Sequence, residues 1–245
     1  MNLSKRLELV NNRYKVISVC GGGGKTTTLY RLAEELKGEG HSVLMTTTTA
    51  MGLPEKDRFD YLIREEEVLQ DLEILKNSMA KGQVTFLIKD MINVSKVKGV
   101  DQTTVDYIKE WEFFDFIIVE TDGAKRKAIK APREDEPLNP YSTDLVIGVI
   151  GLDALGKKID EDHVHRVEIF KRLLDLDREK YIDEEIVVKL VKHPMGLFKN
   201  AVGKKKVLIL NKADSTELRL RGQKIREALK GEPLEEILVM SLLRD

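Results

Sequence analysis

Four consecutive glycines, Gly21, Gly22, Gly23 and Gly24, stand directly before Lys25, Thr26 and Thr27. Glycine admits backbone dihedrals that side chains resist, so the N–H groups of such a run can point into one concavity and cradle an oxyanion. Lys25 supplies the full charge that terminal phosphates require, and the Thr26 hydroxyl suits Mg2+. Two further clusters extend this chemistry. Glu120-Thr121-Asp122-Gly123 offers two carboxylates that can hold Mg2+ directly or through water, and a glycine N–H that can approach a γ-phosphate. Asn211-Lys212-Ala213-Asp214 has the NKxD spacing of a guanine-recognition box. There the Asp214 carboxylate accepts from the N1–H and 2-amino groups of guanine, the Lys212 stem covers the ring, and Asn211 ties its loop to the phosphate loop. Adenine leaves that carboxylate unpaired, so GTP is expected over ATP. Each cluster also has a plainer reading: a glycine turn, an Asp-Gly turn, and an Asp214 that caps the next helix.

The surrounding periodicity positions all three. Val16, Ile17 and Val19 read as a buried strand, and residues 25–37 as a helix with Leu29, Leu32, Ala33 and Leu36 on one face, ended by Gly38 and Gly40. A second strand follows at residues 42–47. This βαβ unit gives the glycine run the strand–loop–helix order of a phosphate-binding loop, with the helix N-terminus adding N–H donors and dipole. Two positions depart from the commoner forms. Val19 stands where a glycine is usual, and Cys20 stands where one variant carries a second lysine. Further strands are expected at residues 61–63, 83–89, 114–119, 144–152, 206–210 and 237–243. Helices are expected at 64–80, 101–111, within 162–174, and at 183–192, 196–202 and 217–230. Residues 90–100 read as a loop or a lysine-protected edge strand. The carboxylate cluster follows the 114–119 strand and the NKxD box the 206–210 strand, both at carboxyl ends, where open parallel sheets bind ligands. The fold class is α/β, phosphate-loop NTPase-like, with a mostly parallel sheet and helices on both faces. One domain is expected over residues 1–245, with insertions within 53–100 and 124–202.

Composition narrows the function classes. The chain has 245 residues, a net charge of −1, 42% hydrophobic and 34% charged residues, and one cysteine. No global field favours nucleic acid or an anionic membrane. A single cysteine excludes an intramolecular disulfide and a multi-cysteine metal site. The N-terminal residues have no secretory pattern, and no run of ~18 apolar residues exists, so a cytoplasmic protein is expected.

Four features leave alternatives open. The hydroxyls of Thr46, Thr47, Thr48 and Thr49 can bind phosphate, ligate Mg2+ through water or act as a switch, or they simply finish a β-favouring run. Lys125, Arg126, Lys127 and Lys130 can reach a phosphate or an anionic substrate, or form a solvated charged loop. His163 and His165, two apart, do not share a helix face, so a helix-borne metal pair is not expected; one of them can line the site, or they are surface or capping residues. Cys20 lies beside the helix N-terminus, which can lower a thiol pKa, or is a small buried residue.

With these stretches in hand, the chain resembles the YqeC family. The stretches that carry the likeness are VCGGGGKTTTLYRLAEEL, VLMTTTTAM, ETDGAKRKAIKAP with EP after it, VIGVIGLDALGK, VHRVE and LNKAD, spread in order over nearly the whole chain. The resemblance implies a phosphate-loop nucleotide-binding protein that acts in maturation of selenium-dependent molybdenum hydroxylases or their cofactor. The acid-glycine motif with a late NKxD is also similar to that of metallochaperone and maturation GTPases. The combined expectation is a Mg2+-dependent nucleoside triphosphatase, GTP before ATP. Its phosphates would lie on Gly21, Gly22, Gly23, Gly24, Lys25 and Thr27, its metal on Thr26, Glu120 and Asp122, and its base on Asn211, Lys212 and Asp214. Lys25, Glu120 and Asp122 would carry the chemistry. No catalytic glutamine or arginine finger stands out, so intrinsic hydrolysis is expected to be slow. Expected partners are a client apo-enzyme or cofactor-assembly protein and a second copy in a homodimer. Two alternatives are a small-molecule kinase or phosphoryl or nucleotidyl transferase, and a nucleotide sensor without turnover.

Overall fold

The computed structural model describes residues 2–11, 14–78, 80–176 and 180–245. The first half holds α1 (Leu3–Arg6), β1 (Val16–Gly21), α2 (Lys25–Gly38), β2 (Val43–Thr47), β3 (Met51–Gly52), β4 (Tyr61–Arg64), α3 (Glu65–Gln70), α4 (Leu72–Asn77), β5 (Val84–Ile88), β6 (Asp90–Asn93), β7 (Lys96–Lys98), α5 (Gln102–Glu110) and β8 (Phe116–Glu120). Then follow β9 (Ile129–Lys130), β10 (Leu145–Gly151), β11 (Val164–His165), α6 (Val167–Leu173), α7 (Glu184–Lys192), β12 (Lys205–Asn211), α8 (Thr216–Ala228) and β13 (Glu236–Val239). Hydrogen bonding orders the main sheet β13-β12-β10-β1-β8-β2-β5-β4. The pairs β1–β8, β2–β8, β2–β5, β4–β5 and β12–β13 are parallel. Every residue of β1, β2, β5, β8 and β10 is buried. Strands buried at successive positions have both faces covered, which is the condition of a parallel sheet flanked by helices. The class is α/β, with the parallel sheet of a phosphate-loop NTPase-like fold.

The chain divides into two compact units. The first comprises Met1–Val19, Thr28–Thr121 and Leu138–Leu145. In it Leu29, Leu32, Ala33 and Leu36 form the buried stripe of α2. A separate core cluster joins Val16, Leu44, Leu87, Ile117 and Val119 to Val105 and Ile108 of α5. Residues 90–100 form the β6–β7 hairpin, which adds β3 to make a three-stranded antiparallel sheet. The second unit comprises Cys20–Thr27, Asp122–Pro137 and Val146–Asp245. Its core packs Val146 and Ile150 of β10 and Leu208 and Leu210 of β12 against Phe170, Ile186, Leu190, Ile225 and Leu229.

Three expected elements differ in detail. The helix expected over residues 64–80 is two helices, because Asp71 is extended (φ −148°, ψ 105°) and its carboxylate accepts from Glu73 N–H, restarting the helix as α4; residue 79 lies outside the described residues. Residues 196–202 form turns, begun where Gly196 N–H returns to His193 O at 2.8 Å. The last strand stops at Val239 and turns follow.

Phe86 on β5 is fully buried and meets the ring of Phe59 at 6.0 Å between centroids. Phe86→Ala is expected to lower stability by about 3–5 kcal/mol, read from urea unfolding.

Candidate functional site

The glycine loop lies within the second unit, and backbone bonds fix its path. Gly22 N–H donates to Val149 O at 2.8 Å and Gly23 N–H to Lys127 O at 2.9 Å. Asn211 clamps the loop from β12. Its Nδ2 donates to Gly23 O at 2.7 Å, while its Oδ1 accepts Leu242 N–H at 2.9 Å. One side chain therefore joins the glycine loop to the turn after β13. The loop has no room for side chains here. Gly21 and Gly23 hold φ of +99° and +74°, and a Cβ would overlap Val149 O at the first and Gly151 N at the second. A glycine loop closed to Cβ atoms and leading into the first turn of α2 follows the path of a phosphate-binding loop, with the Gly21, Gly22 and Gly23 amides turned to Asp122, Val149 O and Lys127 O.

Asp122 sits at the centre of the charges. It is 2% exposed. Its carboxylate accepts Gly21 N–H at 3.2 and 3.1 Å, lies 3.4 Å from Lys25 Nζ, and accepts from Lys130 Nζ at 2.9 Å. Lys25 Nζ also donates to Gly21 O at 3.0 Å, curling back over the loop. Lys130 is as buried as Asp122, and its three donors are met by Asp122, by Gly123 O at 2.8 Å and by Glu136 Oε2 at 2.6 Å. Arg166 closes the network with a two-pronged contact to Glu136, one prong of which is 2.7 Å long. Burial raises the Glu136 carboxyl, but the hydrogen bonds and charges of Arg166 and Lys130 outweigh it and hold the pKa at about 2.

The other candidate residues have distinct surroundings. Thr26, Thr27 and Gly123 are half-buried. Lys212 takes a left-handed backbone (φ 62°) and its Nζ pairs with Asp153 at 2.7 Å. Asp214 faces Arg244 at 3.9 Å. It does not cap α8; Ser215 does, its Oγ accepting Leu218 N–H at 3.2 Å. Glu120 belongs to the first unit, where it is 6% exposed and its carbonyl accepts from Thr48 N–H at 3.0 Å and Thr47 Oγ1 at 2.9 Å. Burial and then the Glu120 charge push the Tyr30 phenol up. Thr46 Oγ1 donates to Leu87 O at 2.8 Å and Thr48 Oγ1 to Leu138 O at 2.9 Å, so these hydroxyls brace the end of β2. Among the described residues no group of three or more His, Cys, Asp or Glu is arranged to hold a metal ion by itself. No helix among them is long and apolar enough to cross a membrane.

A model of the family described as YqeC protein matches residues 17–168 of this chain, well over half its length. The chain belongs to the YqeC family. A relative from Escherichia coli (strain K12), described as an uncharacterized protein YqeC, is 33% identical over 227 residues, covering 92% of this chain and 86% of its own length. The YqeC match takes in the glycine loop, Asp122, Lys130, Glu136 and Arg166 and ends before the Asn211 clamp.

Sequence reasoning did not separate Lys130, Glu136 and Arg166 from the mixed-charge stretch around them. Lys125 and Arg126 are solvent-exposed, as in a charged loop, whereas Lys130 is a buried ion-pair centre. The available signal was local: Ile129 and Ala131 flank Lys130, both fully buried, which gives an apolar–cation–apolar triplet inside a basic run. Cys20 is fully buried, and its Sγ reaches Leu197 O at 3.5 Å. Burial and the neighbouring Asp122 charge push its thiol up, outweighing Lys130 and Lys25.

Two outcomes follow from these surroundings. A folded-state pKa below 4.5 means that Glu136 stabilises fully above that value and loses its contribution as pH falls toward about 2. Glu136→Gln should therefore melt lower than the parent at neutral pH, with a flatter melting-temperature profile across that acid window. The Cys20 thiol should resist iodoacetamide in the native protein and react once denaturant opens the core, counted by mass spectrometry.

Proposed function

We propose that this YqeC-family chain binds a Mg2+–nucleoside triphosphate, GTP before ATP, and hydrolyses it slowly as an accessory factor. The observation that carries the reading is the Asn211 clamp, which binds the carbonyl of Gly23 to the loop that also carries Lys212 and Asp214. A glycine loop closed to side chains, running into a helix N-terminus beside Lys25, supports phosphate at one end of that link. A carboxylate released from helix-capping duty supports base recognition at the other. The Gly21–Gly24 loop, the N-terminus of α2 and the Lys25 ammonium hold the β- and γ-phosphates. Thr26 and Asp122 would hold Mg2+, which would neutralise phosphate charge. Gly123 N–H senses the γ-phosphate.

Asp122 gives the chain its own part in this chemistry. It is the anion that Lys25 and Gly21 N–H face. A triphosphate carries more negative charge and would take over both partners, freeing the carboxylate to help hold the metal. Binding therefore exchanges one anion for another around Lys25, without leaving that buried ammonium unpaired. Loss of the γ-phosphate reverses the exchange and signals through Gly123 to Lys130.

The family resemblance supports a cytoplasmic role in maturation of selenium-dependent molybdenum hydroxylases, with an apo-enzyme or a cofactor-assembly protein as client and a homodimer as the working form. Calorimetry of the full chain with Mg2+ and GTP or ATP tests the nucleotide reading. Lys25→Ala should weaken GTP binding by about 100-fold, the loss of charge-assisted bonds to phosphate. Unchanged affinity would sink the reading. Asp214→Asn should exchange GTP preference for xanthosine triphosphate by about 100-fold, because the amide donates where the carboxylate accepted. A variant that still prefers GTP would remove the base assignment.

A further inference from the structure

The segment 125–130 meets the phosphate loop with its backbone and a cleft with its side chains. Lys127 O accepts Gly23 N–H at 2.9 Å, and Ala128 O accepts Gly151 N–H at 2.8 Å. The Lys125 and Lys127 side chains line a cleft of about 340 Å3 together with His165, Arg166, Val167 and Ile169. That volume suits a small organic molecule. Glu161 and Glu168 also border the cleft, but both are exposed, where solvent and salt screen them.

Several features mark the cleft as more than a gap between loops. Its cations are held in different ways. Arg166 is pinned by the buried Glu136, Lys127 Nζ donates to Asp162 O at 2.6 Å, and Lys125 makes no ion pair among the described residues. Lys125, Arg126 and Arg166 all hold left-handed backbone, with φ of 46°, 61° and 63°. Side-chain-bearing residues seldom adopt that region, and such outliers concentrate where a ligand is gripped. His165 is half-buried beside them. Burial, then the charges of Arg166, Lys130 and Lys125, hold its imidazole down at about 4 against the pull of Glu136. At neutral pH it is an uncharged ring, able to donate one N–H to an anion.

We propose that this cleft binds a small organic anion, its phosphate or carboxylate head on Lys125, Lys127 and His165 and its apolar body on Val167 and Ile169. The Lys127 carbonyl then carries occupancy to Gly23 in the phosphate loop. The site needs no nucleotide and goes beyond the nucleotide reading.

The test is an NMR titration of the full chain at about pH 5.5, where a neutral imidazole reports any gain of charge. The probes are phenyl phosphate, benzoate and benzyl alcohol, with the His165 resonance assigned through His165→Gln. An anion should move that resonance saturably toward its protonated position and shift the Gly23 amide; the neutral alcohol should do neither. A stronger response to phenyl phosphate assigns a phosphate head, and to benzoate a carboxylate head. Lys125→Ala/Lys127→Ala, altered at one exposed and one half-buried side chain, should weaken binding about tenfold with an unchanged melting temperature. If that variant misfolds, the wild-type titration decides alone. A His165 signal indifferent to both anions, or equally responsive to benzyl alcohol, overturns the proposal, as does a folded double variant that binds like the parent. Lys25→Ala separates the two sites. A His165 response that survives there supports the cleft whether or not GTP binding is lost, and a response that vanishes places the anion in the phosphate loop and ends the proposal.

Discussion

A buried carboxylate held by two lysines sets the terms for the second unit. Asp122 is almost sealed from water, so its charge is tolerable only because Gly21 N–H, Lys25 and Lys130 meet it. Each partner is tied elsewhere. Lys25 opens α2, Lys130 holds Glu136, and Glu136 holds Arg166 at the start of α6. The chain of contacts runs from the glycine loop to a helix more than a hundred residues later without an unpaired ion. Lys130 is the shared member: removing it takes a partner from both Asp122 and Glu136, and breaking buried pairs in this way is strongly destabilising. That arrangement resembles a lock more than a scaffold: the same ions that stabilise the loop are the ones a polyanion would have to displace.

The backbone carries the other half of the site. The glycine run does not depend on its flexibility alone; it depends on how closely Val149, Gly151 and Lys127 approach it. Two separate segments thus press on one loop, and only main-chain atoms fit between them. Asn211 completes the enclosure, because a side-chain amide can both donate to Gly23 and accept from Leu242.

Much of this was legible in the sequence, for stated physical reasons. Strands such as those at Val16 and Phe116 announce themselves because a parallel sheet buried on both faces demands unbroken apolar runs. The stripe of α2 was readable because 3.6-residue periodicity puts Leu29, Leu32 and Leu36 together. The break at Asp71 was not, since a single residue can be either a mid-helix acid or a cap, and only its extended backbone decides. Nor could spacing show that Lys130 turns inward while Lys125 and Arg126 face solvent. That division rests on where Glu136, itself held by Arg166, meets Lys130, and its local sign is the apolar Ile129 and Ala131 on either side of that lysine. The Ser215 cap is a similar case: Asp214 and Ser215 are both good caps, and the choice was made by the extended backbone that delivers the serine hydroxyl to Leu218.

The isolation of Cys20 has a practical side. With one native thiol, buried in the core of the second unit, the chain is already a single-cysteine background whose own sulfur stays silent under labelling. Val94 and Val202 are 93% and 92% exposed, so a cysteine placed at either would take a fluorophore or spin label alone, with no cysteine-free parent to build first. A chain arranged this way lends itself to single-site spectroscopy, and motions of the β6–β7 hairpin or of the turn before β12 could each be followed in otherwise native protein.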